Sequence, residues 1–178
     1  IERLRVEHSE WKILVTTGTI TSATIMSERL PDGAFHQFIP VDQVEYIHKF
    51  FNHWKPNLVL WTESEFWPNL ICYTSALNVP MVLLNGRISN KSFKNWKFFP
   101  GLIKEILSAF SLCLGQSDWD VLRLSMLGAT NSKSVGNLKF ATPPLTANQK
   151  DLSELSFLIG QRPRWLVQQT IHPQTARR

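Results

Sequence analysis

Two glutamates, Glu63 and Glu65, stand in the stretch TESEFWPNL, directly after the apolar run LVLW of residues 58–61. That run is typical of a buried strand, and Pro68 favours the start of a helix. Carboxylates at such a turn can act as a general base, orient a sugar hydroxyl or stabilise developing positive charge. They can also simply cap the helix, because acidic side chains are favourable beside a helix N-terminus. For Glu65, the functional interpretation and the helix-cap interpretation are equally supported. For Glu63 a functional role is favoured, since a charge at the end of an apolar strand must be paired or used.

A second candidate turn contains Thr17 and Gly18, which follow the strand-like stretch KILVT of residues 12–16. A threonine-rich turn between a strand and a helix suits anion or sugar binding by backbone N–H groups. The turn is equally compatible with a plain tight turn. It contains neither GxGxxG nor GxxxxGK[ST], so nucleotide binding at this point is not supported.

The elements that must position these residues alternate along the chain. Short apolar runs at about 12–16, 35–39, 58–61, 81–84 and 112–114 predict strands, and apolar residues at helical spacing between them predict helices. Ser117 and Asp120 form a capping box for a helix that ends at Gly128. This alternation predicts an α/β fold, a Rossmann-like parallel sheet flanked by helices. Because ligands of such sheets bind at the carboxyl ends of the strands, one rim is expected to carry Gly18, Glu63, Glu65, Asn85 and Arg87.

A basic and aromatic segment follows the 81–84 strand and reads GRISNKSFKNWKFFPG. Its membrane candidates are Lys91, Lys94, Trp96 and Lys97. A solvated helix face is the default interpretation of such a charge run. Cations interleaved with aromatic residues also describe a surface that docks on anionic lipid, or a platform for single-stranded nucleic acid. Lipid is favoured over nucleic acid, because no RNA-binding or helix-turn-helix pattern accompanies the segment.

The composition is that of a globular chain with an anionic partner. Of the 178 residues, 43% are hydrophobic and 19% charged, which argues against disorder, and the net charge of +5 favours an anionic partner. Cys72 and Cys113 fit no metal spacing, so we predict two buried thiols in a reducing compartment. The five histidines show no metal-binding pattern either. No metal and no cofactor are expected, and no run of 18 apolar residues predicts a membrane span.

Three segments occur in a characteristic order: LVLWTESEFWPNLI at 58–71, NGRISNKS at 85–92, and LGATN followed by VGNLKF between 127 and 140. Together they resemble the Kdo transferases, the 3-deoxy-D-manno-octulosonic acid transferases of Gram-negative lipopolysaccharide synthesis. The highly specific family pattern ExE[LF]WPN is met by Glu63, Glu65, Phe66, Trp67, Pro68 and Asn69. The pattern NxRxS is met by Asn85, Arg87 and Ser89, and G[SN]LKF by residues 136–140. The resemblance runs from residue 1 to about residue 140.

The resemblance implies the N-terminal, acceptor-binding half of a GT-B glycosyltransferase. Such an enzyme moves Kdo from CMP-Kdo to the 6′-hydroxyl of lipid IVA, with inversion, at the cytoplasmic face of the inner membrane. The residues that match the family's transition-state stabilisers are Glu63 and Lys139, although from sequence alone Lys139 is more simply an ordinary exposed lysine. The acceptor is expected to meet Glu65, Asn85, Arg87, Ser89, Thr17 and Gly18. Nucleic acid is not an expected partner.

The resemblance also predicts the domain organisation. Residues 1–140 are expected to form an acceptor-binding domain that is incomplete at its N-terminus, and residues 141–178 a linker and the truncated start of a second domain. The family's general base, its membrane anchor and its CMP-binding residues would lie outside this chain, so the chain alone is expected to be inactive. The alternative hypothesis is a non-catalytic module that binds lipid or a sugar phosphate.

Overall fold

The computed structural model describes residues 1–141 and 148–160, which belong to two compact units divided after Ala141. In chain order, the elements of the first unit are α1 Glu2–Glu7, β1 Ile13–Thr17, α2 Ile20–Arg29, β2 Ala34–Phe38, α3 Val44–Trp54, β3 Val59–Thr62, α4 Pro68–Ala76, β4 Met81–Gly86, α5 Asn90–Trp96, α6 Pro100–Ser108, β5 Leu112–Gly115, α7 Asp118–Leu127, β6 Ser132–Ser134 and a 3₁₀ helix Leu138–Ala141. In the second unit, α8 spans Gln149–Ile159. The rest of the predicted linker and second domain, residues 142–147 and 161–178, lies outside the described residues.

All the strand pairings within the described residues are parallel. β1 pairs with β2 in a two-stranded sheet, and β3, β4, β5 and β6 form a four-stranded sheet in that order. The predicted parallel α/β fold is therefore confirmed, and each strand predicted from an apolar run is present within about two residues of its predicted bounds. The short polar β6 was not predicted, because its sequence SKS carries no apolar signal.

The hydrophobic core surrounds the four-stranded sheet. Strands β4 and β5 contribute Met81, Leu83 and Cys113, and α6 contributes Ile106 and Leu107, all of them 0% exposed. A parallel sheet needs this cover on both faces. By contrast, none of residues 1–46 is buried, so the β1–β2 sheet and α2 lie nearer the surface of the first unit. The core of the first unit therefore lies at the four-stranded sheet and the helices packed on it.

The two thiols differ in their surroundings. Cys113 is buried, as predicted, and burial raises the pKa of its thiol to about 12. Cys72 is only half-buried, which corrects the prediction for that residue. Its side chain lies 3.7 Å from a carboxylate oxygen of Glu105. Desolvation and that carboxylate raise the pKa of Cys72.

The longest helices among the described residues, α3 and α8, have 11 residues each. Within residues 1–141 and 148–160, none has the length and apolar character needed to cross a membrane.

Candidate active site

The segments that follow the two edge strands of the four-stranded sheet, β3 and β6, bring two charged side chains together. Glu63 follows β3, and Lys139 lies in the 3₁₀ helix after β6. The Lys139 Nζ atom lies 3.6 Å from Glu63 Oε1, and the two side chains are 74% and 54% exposed. Exposed pairs of this kind contribute little to stability. The contact therefore leaves both charges available to a ligand, and the sequence alone did not show that they meet.

A cavity of about 290 Å³ opens beside this pair. Its lining is polar and combines two carboxylates, two cations and three uncharged polar side chains. The lining residues are Glu63, Ser64, Glu65, Arg87, Gln116, Asn137 and Lys139. A cleft with convergent charged groups at the carboxyl end of a parallel sheet is a typical ligand site. The predicted candidates Glu63, Glu65, Arg87 and Lys139 are thus brought to one place.

The turn that carries Glu63 is held by three hydrogen bonds. The Glu63 backbone N–H donates to the Leu84 carbonyl at 2.9 Å, and the Trp61 indole N–H donates to the Glu65 carbonyl at 3.0 Å. The Ser64 hydroxyl accepts from the Arg87 backbone N–H at 2.9 Å. Glu63 itself has φ of 61°, a left-handed conformation that a non-glycine residue seldom adopts. The surrounding bonds stabilise this conformation.

Asp42, which the sequence did not single out, caps α4. Its carboxylate accepts from the backbone N–H groups of Leu70 at 2.8 Å and Asn69 at 3.2 Å. The Asn69 side-chain amide donates in return to the Asp42 carbonyl at 2.8 Å. The cap of this helix therefore comes from a distant loop, and Glu63 and Glu65 do not supply it. This leaves their carboxylates to the cavity.

We expect Asp42→Ala to lower the free energy of unfolding by about 1–2 kcal/mol, because two N–H groups at the start of α4 lose their acceptor. Urea unfolding of the 178-residue chain measures this. The matched control is Glu45→Ala, which removes an exposed carboxylate whose partner is Lys49 in the same helix. That control should cost less than about 0.5 kcal/mol. Equal losses in the two variants would show that the Asp42 cap is unimportant.

The residues around Lys139 form a second set of contacts. The Leu138 backbone N–H donates to Asn85 Oδ1 at 3.1 Å, and the Lys139 backbone N–H donates to Asn137 Oδ1 at 3.0 Å. The Gln116 side-chain amide donates to the Asn85 carbonyl at 3.1 Å. Gln116 follows β5 directly, so the rule that ligands meet strand ends could have identified it. Asn137 lies inside the GNLKF motif and could have been found there.

The remaining predicted acceptor residues lie in other settings. Ser89 caps α5, its hydroxyl accepting from the Ser92 backbone N–H at 3.1 Å. Thr17 ends β1, and its hydroxyl lies 2.8 Å from His36 Nε2. Gly18 follows Thr17 in the turn before α2. These three residues do not line the cavity beside Glu63. Their role in acceptor binding stays a prediction.

The basic and aromatic segment forms α5 and the turn to α6. The side chains of Lys91, Lys94 and Lys97 are exposed. Trp96 packs partly against the core and lies edge-on to the Phe66 ring. Phe98 and Phe99 are instead 78% and 63% exposed. The segment thus presents cations and two phenylalanines to its surroundings.

Residues 1–141 and 148–160 contain no group of three or more His, Cys, Asp or Glu side chains that could hold a metal ion.

Comparison with known proteins points in one direction. Residues 1–142 match the family model described as 3-deoxy-D-manno-octulosonic-acid transferase (kdotransferase). A transferase of that name from Rickettsia typhi is 42% identical over 167 residues, 92% of this chain and 35% of the relative. The Haemophilus influenzae transferase is 28% identical over 173 residues, 96% of this chain and 40% of the relative. A probable mitochondrial transferase from Arabidopsis thaliana is 42% identical over 123 residues, 68% of this chain and 28% of the relative. The chain spans about a third of the length of these relatives.

Proposed function

The chain belongs to the 3-deoxy-D-manno-octulosonic acid (Kdo) transferase family, and from this premise we propose that it forms the acceptor-binding half of a GT-B enzyme. That enzyme would transfer Kdo from CMP-Kdo to lipid IVA in lipopolysaccharide biosynthesis. The observation that carries the proposal is the 3.6 Å contact between Glu63 and Lys139. The two residues come from different motifs of the sequence, and both line one polar cavity.

The two charges suit the two ends of the bond that breaks. Transfer of a sugar develops positive charge on the sugar ring and negative charge on the departing phosphate. In the proposed mechanism, the Glu63 carboxylate stabilises the first and the Lys139 ammonium stabilises the second. Fixed charges that face developing charge are among the strongest contributions to catalysis. No cofactor or metal enters this proposal.

Arg87 and Glu65 are proposed to bind the acceptor in the same cavity. A guanidinium recognises phosphate through paired N–H donors, and lipid IVA is a phosphorylated disaccharide. The bond from the Arg87 backbone N–H to Ser64 fixes this residue beside the Glu63 turn. Glu65 can accept from a sugar hydroxyl. Ser89, Thr17 and Gly18 are proposed to bind the acceptor outside the cavity.

A chimera tests the proposal without assuming what lies beyond the 178 residues. In the Rickettsia typhi relative, the matched stretch is replaced by the corresponding stretch of this chain. The chimera is then incubated with CMP-Kdo and lipid IVA, and mass spectrometry follows the products. We expect Kdo to appear on lipid IVA. A folded chimera without product, together with binding of lipid IVA by the 178-residue chain, would instead support the non-catalytic binding module.

We further propose that α5 and the turn after it rest on an anionic membrane at the cytoplasmic face of the inner membrane, as a peripheral contact. The exposed side chains of Lys91, Lys94 and Lys97 support this, together with the exposed rings of Phe98 and Phe99. Each cation near an anionic surface contributes on the order of 1 kcal/mol. The phenylalanines would add apolar burial at the level of the headgroups.

Vesicle co-sedimentation checks this surface. Replacing Lys91, Lys94 and Lys97 by glutamine is expected to weaken binding to anionic vesicles by on the order of 100-fold, because roughly 1 kcal/mol is lost for each of the three cations. In the control variant, glutamine replaces three other exposed lysines, Lys12, Lys49 and Lys133. The net charge of the control therefore falls by the same amount as that of the test variant. Binding of the parent should decline as salt rises and screens the charges. Equal binding by the two triple variants would show that α5 is an ordinary solvated helix and not a membrane contact.

A further inference from the structure

Asn85 stands at an irregular point of the sheet. It precedes the last residue of β4, where the register against β5 shifts between Leu83 and Gly86. Its φ is 56°, in the left-handed region. Asparagine tolerates this conformation better than most residues, although glycine does so with less strain. Asn85 is also only 5% exposed, unlike the charged residues of the cavity. A buried polar side chain on a residue with a left-handed backbone is normally held by a specific hydrogen-bond partner.

That partner is the segment that carries Lys139. Asn85 Oδ1 accepts from the Leu138 backbone N–H at 3.1 Å, and Leu138 directly precedes Lys139. The residue before Asn85, Leu84, accepts through its carbonyl from the Glu63 backbone N–H at 2.9 Å. Two successive residues at the end of β4 therefore hold the two members of the charged pair, one on each side.

We propose that Asn85 is a positioning residue, which holds the Leu138–Ala141 turn so that the Lys139 ammonium faces Glu63. The proposal deepens the function inferred above and rests on it for the catalytic meaning of the pair. It gives Asn85 a role different from direct acceptor binding. Asn85 is buried, does not line the cavity, and already accepts a hydrogen bond from Leu138 through its side-chain oxygen, which argues against direct contact with the sugar acceptor. The left-handed backbone of Asn85 directs its side chain towards Leu138. The side-chain amide oxygen is the hydrogen-bond acceptor for the Leu138 N–H group.

Three variants separate these two features of Asn85. Asn85→Gly keeps the left-handed backbone but removes the side-chain oxygen that accepts the hydrogen bond from Leu138. Asn85→Asp keeps an acceptor oxygen at the same place. Leu138→Pro removes the N–H donor from the other side of the bond, at the first residue of a 3₁₀ helix, where proline is tolerated. If Asn85→Gly fails to fold, Leu138→Pro removes the same bond without changing Asn85.

Carbodiimide cross-linking of the 178-residue chain measures the result. The reagent joins a carboxylate and an amine that are in contact, and mass spectrometry quantifies the Glu63–Lys139 product against the Glu45–Lys49 product. The latter pair lies 2.7 Å apart within α3 and is the internal standard. Both Asn85→Gly and Leu138→Pro should lower the Glu63–Lys139 yield about fivefold, the factor that one typical hydrogen bond represents. Asn85→Asp should stay within about twofold of the parent.

Exchange of the Leu138 amide hydrogen in Asn85→Gly should rise by a similar factor, about fivefold. An unchanged Glu63–Lys139 yield in Asn85→Gly and Leu138→Pro, or no such product in the parent, would overturn the positioning role. Failure of the proposed function shows itself separately, as an inactive chimera in which the Glu63–Lys139 product still forms.

Discussion

Replacing Glu63 by glutamine is expected to lower the rate of Kdo transfer by about 10²–10³-fold, and replacing Lys139 by alanine should do the same. Each change removes one fixed charge from the cavity and leaves the other without its partner. The fold should survive both changes, because the two side chains are more than half exposed and make no buried contact. The loss is therefore expected in turnover and not in stability.

The rate is measured in the chimera that carries this chain's stretch in the Rickettsia typhi relative, with circular dichroism as the check on folding. The controls are Glu45→Gln and Lys133→Ala, which remove the same kinds of charge from exposed positions outside the cavity. The activity of both controls should stay within about twofold of the parent chimera, as expected for surface substitutions away from the cavity and the buried core. Near-normal turnover by Glu63→Gln with a lowered melting temperature would instead assign Glu63 a structural role.

The second large effect is expected from Phe110→Ala, which should lower the free energy of unfolding by about 3–5 kcal/mol. Phe110 is 1% exposed, and its ring packs against Trp61 and Phe66 at centroid distances of 6.2 and 6.3 Å. These two aromatic residues flank the turn of Glu63. The substitution leaves a cavity beneath that turn, so the geometry of the charged pair should suffer as well.

Urea unfolding of the 178-residue chain compares Phe110→Ala with Phe110→Leu. Leucine retains most of the apolar volume and should cost less than about 1.5 kcal/mol. A loss in Phe110→Ala no larger than in Phe110→Leu would show that the ring does not support the core in this way.

The parallel α/β fold could be predicted because its signal is local. Runs such as KILVT and LVLW are short, apolar and followed by helical periodicity, and this pattern alone indicates βαβ units. The rule that ligands meet the carboxyl ends of strands placed Glu63, Glu65 and Arg87 at one cavity. It also placed Gly18 on the same rim, but Gly18 follows β1 of the other sheet and does not line that cavity. It could not predict that β1 and β2 form a sheet of their own, because strand periodicity does not determine which edges pair.

The contacts that shape the site are non-local, and for that reason sequence patterns missed them. Asp42 caps a helix that begins more than twenty residues later, so no capping box marks it. The left-handed φ of Glu63 and Asn85 depends on the bonds that surround them in the folded chain. Lys139 looked ordinary because its partner lies in another motif. Only the family resemblance gave it a role before the structure placed it 3.6 Å from Glu63.

A double-mutant cycle on Glu63 and Lys139 tests the central claim most directly. Transfer of Kdo to lipid IVA is measured for the parent chimera, Glu63→Gln, Lys139→Ala and the double variant. If the two charges act as one unit on the same transition state, the effects are not additive, and the double variant is about as slow as the slower single variant. Single variants as fast as the parent would contradict the account, whereas fully additive losses would show that each charge acts independently at its own end of the breaking bond.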